Sequence, residues 1–416
     1  MFVGRKSRPM GIATLGKVAK PTLVANAKSI DFDGTNDGII LPASNLLITG
    51  TNVTYACWAK TTDTDRTYLF GNQKGAGSTN MSLSINANGG TETAGVITGF
   101  TWNGSSHDNV VYDGNVDDSA WHHYAFTTSS SAQVLYLDGV AVATGTNTFS
   151  NSASSNSMTI GSLNHVNYFL QGNMDEVAIW SRVLKASEIA DIYNSKRMDL
   201  SQSSLSYSAN NLVAWYRMGD GTLDEYPLIA DQTNATLGSE ELTNNGFESG
   251  LTLAASWTNM DGWVDETVLS SQNANATLDT SNARTGSNCM KMELLSGGSY
   301  LNYGLTSLAA GVYRFSIFFR AGDSQTITSI RLGAATGLRG FALGDSGTVY
   351  SISETYSEVV AYINNPSSQN VRFTINAGGT NNHFLFIDDI SIKKVNGNPG
   401  IMTNMASGDI ETDVPT

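Results

Sequence analysis

Cysteine is almost absent, with two in 416 residues, and charge is thin: Asp, Glu, Lys and Arg make up 14% of the chain. Cys57 and Cys289 lie in strand-like stretches assigned to different domains, which excludes a disulfide-stapled scaffold and makes each a small buried hydrophobe. No apolar run approaches the ~20 residues of a membrane-spanning helix. A P-loop, a G-x-S-x-G elbow and an H-E-x-x-H pair are all missing, so the usual signatures of nucleotide, serine-hydrolase and zinc-protease chemistry are excluded.

Gly, Ser, Thr and Asn fill the space that charge leaves, a composition suited to many short strands joined by many turns. At ~100 to 200 residues per domain the length implies two or three domains. The net charge of −14 argues against general affinity for nucleic acid. That charge is unevenly placed. Residues 1–28 hold Arg5, Lys6, Arg8, Lys17, Lys20 and Lys28 and no acid, an arm of +6 that leaves −20 for the remainder. Such an arm docks on an acidic surface or stays unfolded. Its basic start and ANA end share features with a signal peptide, but Lys17, Lys20 and Pro21 interrupt any apolar core, so export is not expected.

Along the chain, SIDFDGTNDGIIL, NVTYACWAK, MSLSIN, HHYAFTT, AQVLYLDGVAVAT and SMTIGSL read as strands between turn signals. Asp138-Gly139 sits between two apolar runs and predicts a two-residue hairpin. KASEIADIYN spaces Ala186, Ile189, Ala190 and Tyr193 as one helical face, with Ser187 as the candidate cap. From Leu242 onward a second set of alternating strands includes YRFSIFFR and Val371-Arg372-Phe373-Thr374-Ile375.

Adjacent acids in GNMDEVAIW raise the question of catalysis. Neighbouring strand residues point to opposite faces, so Asp175 and Glu176 are not expected to pair. A retaining glucanase needs carboxyls ~5 to 5.5 Å apart, usually from an E-x-D-x-x-E strand, and none occurs. Of His107, His122, His123, His165 and His383, only His122-His123 are neighbours, and alternation separates them as well.

SIDFDGTNDGI, VTYACWAK, WHHYAF, VLYLDGV and GNMDEVAIWSRVLKASEIADIYN, in that order, resemble the laminin G-like, concanavalin A-like lectin jelly roll. LTNNGFESG at the start and FLFIDDISIKKV at the end of the later region resemble carbohydrate-binding modules of the 4/9 type, also jelly rolls. The ending GNPGIMTNMASGDIETDVPT resembles those of structural proteins of marine bacteriophages. The expected organisation is an all-β chain of two antiparallel jelly-roll sandwiches: a basic arm 1–28, a laminin G-like domain 29–200, a connector with an edge strand 201–240, a module-like jelly roll 241–396 and an acidic tail 397–416.

These resemblances imply a non-enzymatic virion protein, a capsid decoration or a tail or fibre component. It would join other virion proteins through its arm and surface glycans through aromatic residues. The alternatives are a secreted or cell-surface adhesin or noncatalytic polysaccharide-binding protein, a hydrolase with an unfamiliar site, and a structural cement that binds only protein. Trp102, Tyr112 and Tyr168 in the first domain and Trp257, Trp263, Tyr300 and Tyr303 in the second are the sugar-binding candidates, each equally explained by packing. The module resemblance implies a structural calcium on Glu248 with Asp389 and Asp388. Asp33, Asp37 and Asp175 form a second candidate set, against plain turn chemistry for DGTND. A homo-oligomer such as a trimer is compatible with this role, though no heptads enforce one.

Overall fold

Strand Val53–Thr61, VTYACWAKT, is buried along nearly its whole length because both of its faces are covered. Val53, Tyr55, Cys57 and Ala59 enter a core between two sheets, and Ala56 lies in a second cluster with Ile189 and Ile192 of the helix Ala186–Ser195. The layers of the first sandwich are therefore helix, sheet I, core and sheet II. The computed structural model describes residues 22–41, 50–73, 79–88, 91–103, 105–146, 158–196, 199–202, 211–242, 245–248, 263–264, 275–294, 299–322, 329–336, 339–342, 353–365, 368–378 and 383–415.

Sheet I runs, in spatial order, Val140–Thr146, Ala132–Leu137, His122–Thr128, Val53–Thr61, Gln171–Trp180, Ser29–Asp33, Ile410–Glu411, with Leu212–Tyr216 also on Gln171–Trp180. Sheet II runs Leu228–Ile229, Gly400–Thr403, Gly38–Leu41, Met158–Ile160, Thr67–Gln73, Thr79–Asn88, Thr91–Trp102, His107–Asp113. Asp138 (φ 48°) and Gly139 (φ 79°) make the two-residue turn that joins Leu137 to Val140, as the Asp-Gly pair predicts.

The helix begins two residues earlier than the Ser187 cap implied. Lys185 is its N-cap, and the Glu188 carboxylate accepts the Lys185 N–H at 2.7 Å and a forked pair from Arg182 at 2.9 and 3.1 Å. Glu188, Ile189 and Ile192 face inward, while Ala186 is exposed. An acid at the third helical position satisfies free N-terminal donors, and the buried stripe runs through Glu188, Ile189 and Ile192 where Ala186, Ile189, Ala190 and Tyr193 were expected.

The first sandwich is not finished by residue 200. The connector supplies Leu212–Tyr216 to sheet I and Leu228–Ile229 to sheet II, and the last residues return to supply Gly400–Thr403 and Ile410–Glu411. Residues 397–415 thus supply two strands of the first domain, where an acidic tail was expected. Met402 and Met405 are buried in its core, and the Asp413 carboxylate meets Lys60 and accepts the Trp121 indole N–H at 2.9 Å. Residues 22–28, expected within the basic arm, are docked as well. Asn26 donates to Asp175 at 2.8 Å, and the N–H groups of Ala27 and Lys28 donate to Asp220. Arg5, Lys6, Arg8, Lys17 and Lys20 lie outside the described residues.

The second sandwich is inserted before that return. Sheet III runs Asn275–Asp279, Cys289–Leu294, His383–Val395, Gly311–Ala321, Ser357–Asn365, with Leu237–Glu240 also on His383–Val395. Sheet IV runs Trp263–Val264, Ser299–Leu308, Gln369–Gly378, Ser329–Thr336, Arg339–Ala342. Leu228, Ala230 and Val395 pack with Val312 and Tyr362 where the two sandwiches meet. Asp231, fully buried, accepts the Trp215 and Thr233 N–H groups on one oxygen and the Asn398 N–H on the other, tying the outgoing chain to the returning one. Both cysteines are free and buried, one in each sandwich.

Removing residues 397–416 is expected to abolish cooperative unfolding of the first sandwich, and Met402→Ala alone to cost about 2–5 kcal/mol. Denaturant melts of the truncated and substituted chains check this. An unchanged midpoint on truncation would mean that these strands are dispensable.

Candidate functional site

Sheet II has a core face and an outer face, and alternation sorts its residues. Met81, Leu83, Ile85, Ile97 and Val110 enter the core. Their neighbours Tyr68, Ser82, Ser84, Thr98, Phe100, Trp102, His107 and Asn109 share the opposite face, through the pairs Tyr68↔Ser84, Ser84↔Thr98, Ser82↔Phe100, Phe100↔Asn109 and Trp102↔His107.

On that face the rings form a continuous row. Tyr168 to Tyr68 is 5.6 Å between centroids, Tyr68 to Phe100 6.3 Å, Phe100 to His107 6.3 Å and His107 to Trp102 4.9 Å. Tyr68 and Phe100 are buried, His107 is exposed, Trp102 is half-buried, and Tyr168 is 38% exposed. The row is therefore open at its two ends.

Tyr168 reaches the row on the loop between Met158–Ile160 and Gln171–Trp180. Its carbonyl accepts the Tyr68 N–H at 3.2 Å, and Gly161 donates to Leu69 O. Gly71 lets this loop approach: a Cβ there would stand 3.0 Å from Leu163 Cδ1 and the Ser162 carbonyl. Left-handed backbone at Asn164, His165 and Tyr168 turns the loop so that Val166, 66% exposed, and Tyr168 point outward.

Arg66 completes the cluster. Its guanidinium lies 4.5 Å from the Tyr168 centroid, 5.4 Å from Tyr68 and 6.0 Å from Phe100, and it donates to the Tyr68 hydroxyl at 2.6 Å. Two polar atoms on this face, the Trp102 indole N–H and the Ser82 hydroxyl, are buried without a hydrogen-bond partner. Such orphan donors are rare in folded chains, and both atoms are sealed from solvent as the chain stands.

A second concentration of chemistry lies on the other side of the sandwich and corrects the expectation for Asp175 and Glu176. A β-bulge opposite Val53–Thr61 falls between Asp175 and Ala178, with Glu176 at φ 48°, so strict alternation fails there. Asp175 Oδ1 accepts the Glu176 N–H at 2.7 Å, and both carboxyls are buried. Glu176 accepts from the Trp215 indole at 2.6 Å and from Arg217 Nε at 3.1 Å. Burial pushes both acids up, Glu176 to about 7, and the charge of Glu176 pushes Asp175 further. Their oxygens are spent on Asn26, Arg217, Trp215 and backbone, which is the arrangement of scaffolding. Glu176 also lines a pocket beside Trp58, His123, Trp180 and Lys196, where burial lowers His123 to about 4. His122 is on the other face of its strand, between Asp138 at 2.8 Å and Asp118 at 3.2 Å, and the Asp138 hydrogen bond raises it above the usual histidine value.

Sequence reasoning reached Trp102 and Tyr168, which the row joins, but placed Tyr112 with them. Tyr112 pairs with Ile97 and packs against the core, on the opposite face. Arg66, Tyr68, Phe100 and His107 were missed, although R-x-Y entering a strand carries the same period of two. Trp257 lies outside the described residues; the backbone sets Trp263 opposite Tyr303 in sheet IV, with Tyr300 on the same strand as Tyr303.

Glu248, Asp388 and Asp389 do come together around Gly246. Glu248 accepts the N–H groups of Ser287 and Asn288, Asp388 those of Arg284, Thr285 and Asp389, and Asp389 pairs with Arg284 and the Thr285 hydroxyl. A calcium ion would have to displace these donors to gain its six to eight oxygens, so the residues as placed do not form its cage. Asp33 accepts the N–H groups of Thr35 and Asn36, and Asp37, raised to about 6 by burial, accepts that of Asp33. Asp175 is remote from both, since Asp33 pairs with Gln171, four residues or about 13 Å away along the strand. Among the described residues no three His, Cys, Asp or Glu side chains gather as metal ligands, and no helix is long and apolar enough to cross a membrane.

Residues 33–190 match the Laminin_G_3 family, described as the concanavalin A-like lectin/glucanases superfamily. The match ends before the four strands, Leu212–Tyr216, Leu228–Ile229, Gly400–Thr403 and Ile410–Glu411, that complete this sandwich. Among solved structures, a putative carbohydrate-binding protein from Bacteroides ovatus is similar at 19% identity and TM-score 0.39, over 50% of this chain and 56% of that one. The xylan-binding domain of Xyn10C from Paenibacillus barcinonensis matches at 10% and 0.29, over 39% and 97%. The enzymatically active domain of tailspike protein 4 of bacteriophage CBA120 matches at 11% and 0.29, over 38% and 21%. No curated protein matches the chain.

Glu176 and His122 both hold their protons more tightly folded than unfolded. Each adds stability that is full below its ordinary pKa, 4.5 and 6.5, and is lost as pH rises through the higher folded value. The chain is expected to be more stable near pH 5.5 than near pH 8, with a slope of at most about 1.4 kcal/mol per pH unit per proton. Glu176→Gln should flatten the fall between pH 4.5 and 7 and His122→Gln the part above 6.5, as read from denaturant melts across pH. Stability that rises over this range would contradict the assignment.

Proposed function

We propose that this chain is a non-catalytic glycan-binding protein of a bacteriophage particle, and that sugar lies on the outer face of sheet II. The ring row that ends in exposed Tyr168 carries the proposal. Pyranose rings present apolar faces that stack on aromatic side chains, and the hydroxyls around them need polar partners such as the exposed Asn109 amide. The absence of chemistry is supported by the state of the acids. Asp175 and Glu176 are sealed under Arg217 and Asn26, away from this face.

Placement on a virion rests on the basic N-terminal residues and on the resemblance of the ending to phage structural proteins. A cationic arm lying on an acidic neighbour would fix the chain to a shell or tail, and many copies per particle would turn weak sugar contacts into avidity. A secreted or cell-surface adhesin is the alternative reading, and it requires export.

Tyr168→Ala and Trp102→Ala are expected to weaken polysaccharide binding by about tenfold each, roughly 1.4 kcal/mol, with no release of reducing sugar by any variant; affinity electrophoresis in polysaccharide gels reads both. Unchanged mobility of both variants would remove the sugar site from this face. Deleting residues 1–21, which leaves the docked 22–28 segment in place, should prevent incorporation into particles. Normal incorporation, seen by antibody labelling in the electron microscope, would favour the adhesin.

A further inference from the structure

Residues 22–28 hold to the first sandwich by a polar clasp. The Thr22 carbonyl accepts the Asp199 N–H at 2.9 Å, the Ala25 carbonyl accepts from Arg217, Asn26 donates to Asp175 at 2.8 Å, and the N–H groups of Ala27 and Lys28 donate to Asp220. Apolar anchorage is slight: Val24 packs against the cluster under the helix, whereas Leu23 is 51% exposed. Beneath the segment lie the adjacent carboxyls Asp175 and Glu176, both buried, and the charge of Asp220 acts on each. Among the described residues the ion pair at this seat is Glu176 with Arg217. We propose that residues 22–28 are a strap, seated at acid pH and lifting as pH rises, because the carboxyls it covers need water to ionise and the seated strap excludes it.

Three carboxyls gathered at one guanidinium cannot all be charged in a buried site, so protons stay there until solvent enters. Burial is the main cause that raises Asp175 and Glu176, the latter to about 7. A lifted strap returns both toward the ordinary carboxyl range, so by linkage deprotonation favours lifting. Seating is therefore strongest below 4.5, the ordinary value for Glu176, and is lost as pH rises through about 7. The Asn26 carbonyl oxygen is buried in the seat without a partner, a cost that lifting also relieves. Facing the pair from other elements are Arg217 and Asp220 on the connector, His123 on His122–Thr128 and Lys196 after the helix, with Asp31 and Lys60 flanking Asn173 two residues away and Lys28 on the strap itself. His123, lowered to about 4 by burial, is uncharged over this range, and burial raises Asp31 as well. Seven extended residues span ~24 Å, the added reach that the basic N-terminal residues gain on lifting toward an acidic neighbour of the kind proposed above.

The test is amide hydrogen exchange of the full chain between pH 5 and 8, corrected for the intrinsic effect of pH on exchange and read at Ala27 and Lys28, whose N–H groups are bonded in the seat. Protection there is expected to fall about tenfold between pH 5 and 7 and to respond little to dilute urea, since lifting exposes little surface. Asp175→Asn combined with Glu176→Gln should flatten the fall, and Asn26→Ala should lower protection at every pH. Protection that stays constant from pH 5 to 7 overturns the strap. So does protection that falls with urea as steeply as that of Val53–Thr61, because the segment then opens only with the sandwich. A fall that persists in the double variant belongs to other groups and overturns it too. Should the double variant not fold, the pH profile and urea response of the unaltered chain decide the question alone.

Discussion

Arg217 is the side chain on which the closure of the first sandwich depends. Its Nε donates to Glu176 on the bulged strand, its Nη1 to the Asp220 carbonyl and its Nη2 to the Ala25 carbonyl, while its guanidinium lies 5.6 Å from the Trp215 ring. One cation thus joins the Gln171–Trp180 strand, the connector that follows it and the segment that precedes the first strand. Removing a single partner from such a pair leaves the other charge buried, a loss typically worth about 3–5 kcal/mol. Asp220 extends the clamp by receiving Ala27 and Lys28, which delivers Ser29–Asp33 to its place between Gln171–Trp180 and Ile410–Glu411.

The clamp exists only because the chain bulges at Asp175-Glu176, and the second sandwich repeats the device. Asp388 Oδ1 accepts the Asp389 N–H at 2.8 Å as Asp175 accepts that of Glu176, Asp389 has φ 47°, and the pairing with Gly311–Ala321 shifts register at the same point. In both cases an aspartate caps its successor's N–H and the successor's acid swings to an arginine from another segment, Arg217 or Arg284. This explains why the alternation expected of the acids in MDEVAIW fails, and IDDISI breaks its strand in the same way. A left-handed Glu or Asp has no marker such as glycine in the sequence, and only the tertiary partners that over-determine it make it stable.

What was legible follows the same division between local and distant causes. The Asp138-Gly139 turn, the alternation in YRFSIFFR and the sandwich class are decided by neighbours within a few residues, and each is found in the structure. The return of Gly400–Thr403 to Gly38–Leu41 is decided by partners some 360 residues away. A four-residue strand with one glycine has too few positions to show a period, so only the completed sheet declares it. The physical consequence is a first domain whose pairing waits for the end of the chain, with the second sandwich enclosed as a loop of non-local contacts.

The candidate site was half legible for a related reason. Trp102 and Tyr168 stand out in polar surroundings, but polarity of the flanking residues does not say which face of a strand a ring occupies, and Tyr112 went to the core on that account. Parity within sheet II, set by Ser82↔Phe100 and Trp102↔His107, assigns the face, and the loop from Gly161 to Leu170 then decides what the face can do. Without a side chain at Gly71 the loop lies flat on the sheet, Tyr168 reaches Tyr68 by backbone as well as by ring, and Arg66 is held between them. The same packing that buries Tyr68 and Phe100 leaves Tyr168 at the surface. A rigid stack therefore presents one ring whose position is fixed before any ligand arrives, and preorganisation of that kind lowers the cost of binding on a shallow sheet face.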